Sequence, residues 1–200
     1  MDFLTYFPGL TTIQIMAAPV LLIWLAVETY FDFKDQNIPV VFSIVPLVSG
    51  LLFLFFGVDK VLAVFILFLV AVSNLKASVR LPFTVVLWAA AYFMVHGSSM
   101  PVLIGYLIFF TFFQIGIMGG ADALAATYLL CWFPSWGMLF VIVALLLVFS
   151  LTVLITKHKF TFLSAIKNTI SGKEGTRSPA MIAFSSSLAV FLIINMIIFH

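Results

Sequence analysis

Leu-Phe-Val-Ile-Val-Ala-Leu-Leu-Leu-Val-Phe-Ser-Leu, residues 139–151, decides the fold class. The run carries no charge and only one polar side chain, Ser150. A membrane β-barrel strand alternates apolar and polar residues, and this run does not alternate. A helix that is apolar all round belongs in a protein core or a bilayer. Working outward, the same texture continues along the chain. Of 200 residues, 64% are hydrophobic and 8% charged, against about 25% charged in soluble domains. A 22.2 kDa globule needs more polar surface than this. The composition excludes a soluble enzyme, a disordered tail and a nucleic-acid binder with a basic face. The fold class expected is all-α: a polytopic membrane helix bundle, one integral-membrane domain over residues 1–200, with the lipid bilayer as its surroundings and no nucleic-acid partner. The N-terminus lacks the basic start of a secretory signal, so the first apolar run is expected to stay as a span.

Eight apolar segments follow one another, with six to eight crossings compatible with their lengths. They are about Thr12–Phe31, Val40–Gly57, Val61–Leu75, Pro82–Val95, Pro101–Met118, Asp122–Phe133, Trp136–Thr156 and Ala180–Phe199. The sixth is short: twelve helical residues rise about 18 Å, less than a bilayer core of about 30 Å. Pro134 and Gly137 either divide it from the seventh or kink one long helix through 122–156. Division is the reading adopted. The third and fourth are also short, as helices packed on protein or in a thinned bilayer would be.

Counting the loops alternately from outside puts those at 32–39, 76–81, 119–122 and 157–179 on one side. They contain Lys34, Lys76, Arg80, Lys157, Lys159, Lys167, Lys173 and Arg177, and the other side receives only Lys60. An excess of basic residues marks the cytoplasmic face. The N-terminus and the C-terminal His200 are then outside.

Charges inside or at the edge of an apolar bundle are costly and are candidates for function. There are seven acids: Asp2, Glu28, Asp32, Asp35, Asp59, Asp122 and Glu174. Asp2, Asp59 and Glu174 fall in tails or loops, where solvation accounts for them. Asp32 ends the first span and Asp122 follows the fifth, both at the cytoplasmic face. They are 90 positions apart (122 minus 32) yet at matching depth. Two carboxylates at one depth can share a proton, so that one activates water while the other donates a proton. That suits amide cleavage without a nucleophilic side chain. Gly119 and Gly120 before Asp122 allow a tight turn and close approach of a backbone. The plainer alternative is that Asp122 caps the sixth helix and Asp32 marks a helix end. Glu28 lies four residues before Asp32, on the same helical face. It either raises the proton affinity of Asp32 or pairs with a basic or polar neighbour. Asp35 is the alternative first acid, and Lys34 either sits at anionic headgroups or pairs with an Asp. The lone Cys131 leaves no intrachain disulfide or Cys-rich zinc site and reads as a packing residue. His96, His158 and His200 are too scattered to bind a metal. No cofactor or metal is expected.

Asp32-Phe33-Lys34-Asp35-Gln36-Asn37-Ile38-Pro39 resembles the first aspartate motif of type IV prepilin peptidases, an Asp at a helix end, a basic residue two places on, then Ile-Pro. Gly119-Gly120-Ala121-Asp122 resembles the Gly-x-hydrophobic-Asp form of the second motif, as in the archaeal preflagellin branch. The stretch Ser178-Pro179-Ala180-Met181-Ile182-Ala183-Phe184 is similar to the proline-containing start of the family's last helix. The resemblance covers residue 20 or so to the C-terminus and is carried by the order, spacing and shared face of the motifs. Two positions depart from it. Val40 stands where members often have Asn after Ile-Pro, and Leu124 stands where many have Lys two residues after the second Asp. The Cys-x-x-Cys domain and methylating activity of large bacterial members have no counterpart here. The resemblance implies a peptidase-only aspartyl endopeptidase, with Asp32 and Asp122 catalytic. Its partner would be a prepilin-like or preflagellin-like precursor, cut after its short basic leader at the cytoplasmic face of a prokaryotic plasma membrane. A presenilin-like protease is an alternative, but there the two Asp residues lie on adjacent helices, whereas four spans (about 40–118) intervene here. A proton-coupled transporter carrying protons on Asp32 and Asp122 is a non-enzymatic alternative, although no half-repeat of the transporter kind is visible. A purely structural subunit leaves the paired acids unexplained. The sequence does not specify an oligomeric state.

The topology is open to test by single cysteines in a Cys131→Ser background. Ser99→Cys and Lys60→Cys are expected to react with impermeant reagents from outside, Lys76→Cys and Lys167→Cys only from inside. External labelling at position 167 would remove the division at Pro134.

Overall fold

The computed structural model describes residues 6–35, 38, 40–73, 77–94, 100–114, 118–158 and 180–199. They form eight helices and, among the described residues, no strand. In chain order these are α1 (Thr12–Asp35), α2 (Val40–Gly57), α3 (Lys60–Ser73), α4 (Ala77–Met94), α5 (Met100–Gln114), α6 (Gly120–Trp132), α7 (Trp136–His158) and α8 (Ala180–Phe199). The expected order of segments and the division at Pro134 are both present. Several boundaries differ, two of them at charged residues. Helix α1 runs on to Asp35, so Asp32 lies in its last turns rather than at its end. Helix α4 begins at Ala77, so Arg80 is helical rather than in a loop. Hydrophobicity marks where apolar character ends, and charged residues such as Lys34 are compatible with helix beyond that point.

Helix α1 shows the distribution of apolar surface. Its inner stripe is Gln14, Ala18, Leu21, Leu25 and Glu28, all buried, at spacings of three and four residues. Its outer stripe is Ile13, Met16, Val20 and Ile23, all at least 60% exposed. The outward face is thus as apolar as the inward one, apart from the two polar inner positions. Helices α2, α3, α7 and α8 likewise expose Phe56, Val64, Leu147 and Ile197. Two helices, Thr12–Lys34 and Ala180–Phe199, are long and apolar enough to cross a membrane, and the other apolar stretches are shorter.

Helix α6 is the axis. It packs on α2, α5 and α8, while α7 and α1 pack on α8. Residues Ala125–Cys131 of α6 are all buried. Small residues allow this close fit. A Cβ on Gly50 of α2 would lie 3.1 Å from Cys131 Cβ and 3.3 Å from the Tyr128 carbonyl oxygen, and one on Gly105 of α5 would run into Leu130. At the C-terminal end of α6 the aromatic rings of Phe7, Phe133 and Phe191 meet, with Phe133 and Phe191 centroids 5.6 Å apart. The α6–α7 corner is held by two hydrogen bonds from outside it and one within it. Gln14 Nε2 donates to the Trp132 carbonyl at 2.7 Å, Gly137 N–H donates to the Tyr6 carbonyl at 2.8 Å, and Met138 N–H donates to Ser135 Oγ at 3.1 Å. These partners satisfy helix-end groups that have no partner within their own helices.

Gly50→Leu is expected to force α2 off α6, at a cost of about 1–3 kcal/mol. Gly57→Ala is the control, since its Cβ would meet only the Phe53 ring at 3.8 Å. Thermal unfolding in detergent checks this: a lowered transition for the first variant and an unchanged one for the second.

Candidate active site

The glycines before Asp122 open the site. Gly119 is the N-cap of α6, in extended conformation at φ −69°, ψ 156°, and Asp122 is the third helical residue. The Gly119 N–H donates to Asp122 Oδ2 at 3.2 Å, and the carboxylate sits where helix N-termini favour negative charge. Asp122 is therefore not the N-cap residue, but it does support the helix start. Space rather than backbone angle calls for glycine here. A Cβ at Gly119 would stand 2.9 Å from Asp122 Oδ2, and one at Gly120 would stand 3.3 Å from the Phe113 ring of α5.

Asp122 is half-buried and lines a cavity of about 210 Å³ between α5 and α7. Gly119 and Met118 form its floor with Asp122, Phe109 and Phe112 come from α5, Leu146, Leu147 and Ser150 from α7, and Ala180 opens α8. The walls are apolar except for the Asp122 carboxyl and the Ser150 hydroxyl, so polar contacts to anything seated there are few. Asp32 does not line this cavity.

Glu28 of α1 meets α6 further along, at Tyr128. It is fully buried, where a carboxyl without partners would cost several kcal/mol. The Tyr128 hydroxyl of α6 donates to Glu28 Oε2 at 2.7 Å, and Ser43 Oγ of α2 donates to Oε1 at 3.3 Å. Of the two roles expected for Glu28, pairing with polar neighbours is thus observed. Asp122 is close enough to act on Glu28 electrostatically. Asp32 follows Glu28 by one turn, about 6 Å along α1, and continues its inner stripe as a half-buried residue. Helices α1 and α6 run in opposite senses, with Gln14 beside Trp132 at one end and Glu28 beside Tyr128 toward the other. Asp32 and Asp122 accordingly lie toward the same end of the α1–α6 pair.

The remaining motif residues are more dispersed. Lys34 is exposed, its Nζ 5.7 Å from the centroid of the Tyr30 ring. Ile38 and Ala121 are half-buried against the core. Asp35 is the last residue of α1. Pro39 and Pro179 lie outside the described residues. Asp59, read as a solvated loop acid, caps α3 by accepting the Val61 and Leu62 N–H groups at 2.9 and 3.0 Å. Among the described residues, no three His, Cys, Asp or Glu side chains cluster as metal ligands would. The sequence reading missed Tyr128 and Ser43, because a single Tyr or Ser in an apolar segment carries no signal until its partner is known. Compared with protein-family models, curated proteins and solved structures, the chain matches none.

Asp122→Asn keeps an oxygen that can accept the Gly119 N–H, so its stability is expected to stay within about 0.5 kcal/mol of wild type, whereas Asp122→Leu loses the contact at a cost of about 1 kcal/mol. Thermal unfolding in detergent compares the two. Equal, large losses would mean that the charge itself holds the helix start.

Proposed function

We propose that the chain is a polytopic intramembrane aspartyl endopeptidase. It removes the short basic leader of prepilin-like or preflagellin-like precursors at the cytoplasmic face of a prokaryotic plasma membrane. The observation that carries this reading is that Asp32, one turn beyond Glu28 on α1, and Asp122, in the first turn of the oppositely running α6, lie toward the same end of that helix pair, with Asp122 on the wall of an apolar cavity. The multi-pass arrangement is supported by exposed apolar side chains on helix after helix and by eight of nine basic residues sharing one side in the loop count.

The chemistry is general acid–base hydrolysis. Of two neighbouring carboxyls, one is ionised and one protonated. The ionised one takes a proton from water as that water attacks the scissile carbonyl carbon. The protonated one hydrogen-bonds to the carbonyl oxygen and stabilises the developing oxyanion. A proton then passes to the departing nitrogen, the C–N bond breaks, and the leader leaves as a carboxylate. Neither step needs a nucleophilic side chain. A cytoplasmic site also supplies the water that the bilayer core would withhold, and it faces the side where a basic leader is retained.

Asp32→Asn and Asp122→Asn remove the ionisable group while keeping size and much of the hydrogen bonding. Each alone is expected to abolish cleavage of a co-expressed precursor, with the double variant little worse, as for groups acting as a unit. Asp122→Glu is expected to fail as well, because a preorganised site does not tolerate the extra methylene. Glu28→Gln and Asp35→Asn are expected to retain measurable activity. Near-normal processing by either Asp→Asn variant at matched protein levels would sink the reading. Loss with Asp35→Asn alone would move the first acid by three residues.

A further inference from the structure

We propose that Glu28 and Tyr128, braced by Ser43, are a positioning pair that sets the separation of Asp32 and Asp122. The inference rests on the peptidase reading above. The two aspartates stand on helices that are not extensively packed on each other. Helix α1 packs on α8 and only lightly on α2, whereas α6 packs on α2, α5 and α8. Apolar packing therefore leaves the register between α1 and α6 loosely specified, since such contacts have little directionality.

Hydrogen bonds join α1 to α6 directly at both ends of their approach. Gln14 to the Trp132 carbonyl is at the far end, and Tyr128 to Glu28 is toward the aspartate end. The second has the properties of a fixed spacer. Glu28 and Tyr128 are both fully buried and Ser43 is 1% exposed, so water does not compete for the contacts. The Tyr ring is rigid, and the Cα–Cβ bond of a helical residue tilts toward the helix N-terminus, here the end that carries Asp122. Asp122 precedes Tyr128 by six residues, about 9 Å along α6, and Asp32 follows Glu28 by four, about 6 Å along α1. Both segments are continuous helix. A displacement of Glu28 relative to Tyr128 is therefore transmitted to Asp32 relative to Asp122. Asp122 is also close enough to act on Glu28 electrostatically. A dyad that must hold one water between two carboxyls tolerates little misplacement, and about 1 Å can cost roughly a hundredfold in rate.

The test uses purified full-length protein in lipid vesicles with a precursor substrate. Tyr128→Phe removes one hydroxyl and keeps the ring. It is expected to lower kcat roughly ten- to hundredfold with KM within about twofold. Glu28→Gln keeps an acceptor for the hydroxyl and is expected to retain most of the rate, while Glu28→Leu is expected to behave like Tyr128→Phe. A readout independent of activity uses the pair Asp32→Cys and Asp122→Cys in a Cys131→Ser background, cross-linked by thiol reagents of graded length. Adding Tyr128→Phe is expected to shift or broaden the preferred length, and Glu28→Gln to leave it in place. Should Tyr128→Phe fail to accumulate, Glu28→Leu supplies the same two measurements. An unchanged kcat, or a lowered kcat with an unchanged cross-linking profile, overturns the positioning role. Failure of the peptidase reading looks different: no variant and no wild-type protein cleaves, yet the cross-linking shift persists.

Discussion

A helix too short to cross a bilayer by itself has to have its ends satisfied inside the protein. Helix α6 has thirteen residues, about 20 Å of rise against a bilayer core of about 30 Å. In the proposed membrane, each exposed end group would cost several kcal/mol without a partner. The structure answers at both ends. Asp122 accepts the Gly119 N–H at the start, and Gln14 donates to the Trp132 carbonyl at the finish. Enclosing α6 in this way puts its N-terminal turn, and hence the Asp122 carboxyl, beside a cavity rather than out in a long loop. The division of the chain at residues 133–135 follows from the same constraint, because the freed groups there are met by Tyr6, Ser135 and Gln14.

Polar groups elsewhere in the bundle are mostly satisfied locally. Thr29, Thr127 and Ser187 hydroxyls donate to the carbonyls of Leu25, Ala123 and Ala183 in their own helices, as hydroxyls in helices can do. Such bonds do not specify how one helix sits on another. Against that background, a polar contact that crosses between helices is informative. Trp24 to the Phe42 carbonyl ties α1 to α2, Gln14 ties α1 to α6, and the Glu28–Tyr128–Ser43 cluster ties three helices at once. The apolar majority of the sequence supplies cohesion, and these few polar residues supply register.

The sequence was informative where a residue's meaning depended on its own neighbourhood. Eight apolar segments mapped onto eight helices, and Pro134 marked the break between α6 and α7. Counting helices put Asp32 and Asp122 at one face as an expectation, a long-range statement that needed only the number of reversals. What depended on side-chain partners was hidden. Tyr128 and Ser43 looked like ordinary members of apolar runs, because the carboxyl they hold is 100 and 15 positions away in the chain. The end of α1 and the start of α4 were misjudged because hydropathy was used to locate the ends of helices. Lys34 and Arg80 are charged yet helical, and backbone hydrogen bonding, not apolarity, sets where a helix stops. The role of Gly119 was foreseen as closeness of approach, but the group that approaches is the chain's own Asp122 carboxyl.

The central claim, that Asp32 and Asp122 form a peptide-cleaving pair at one membrane face, is tested most directly with purified wild-type protein in vesicles. A synthetic precursor with a basic leader followed by an apolar helix is added, and the products are weighed by mass spectrometry. The account expects one cut, at the junction of leader and helix, yielding two fragments whose masses sum to the precursor plus one water. A precursor that stays intact, while the protein shows its cooperative thermal transition in the same vesicles, would contradict it.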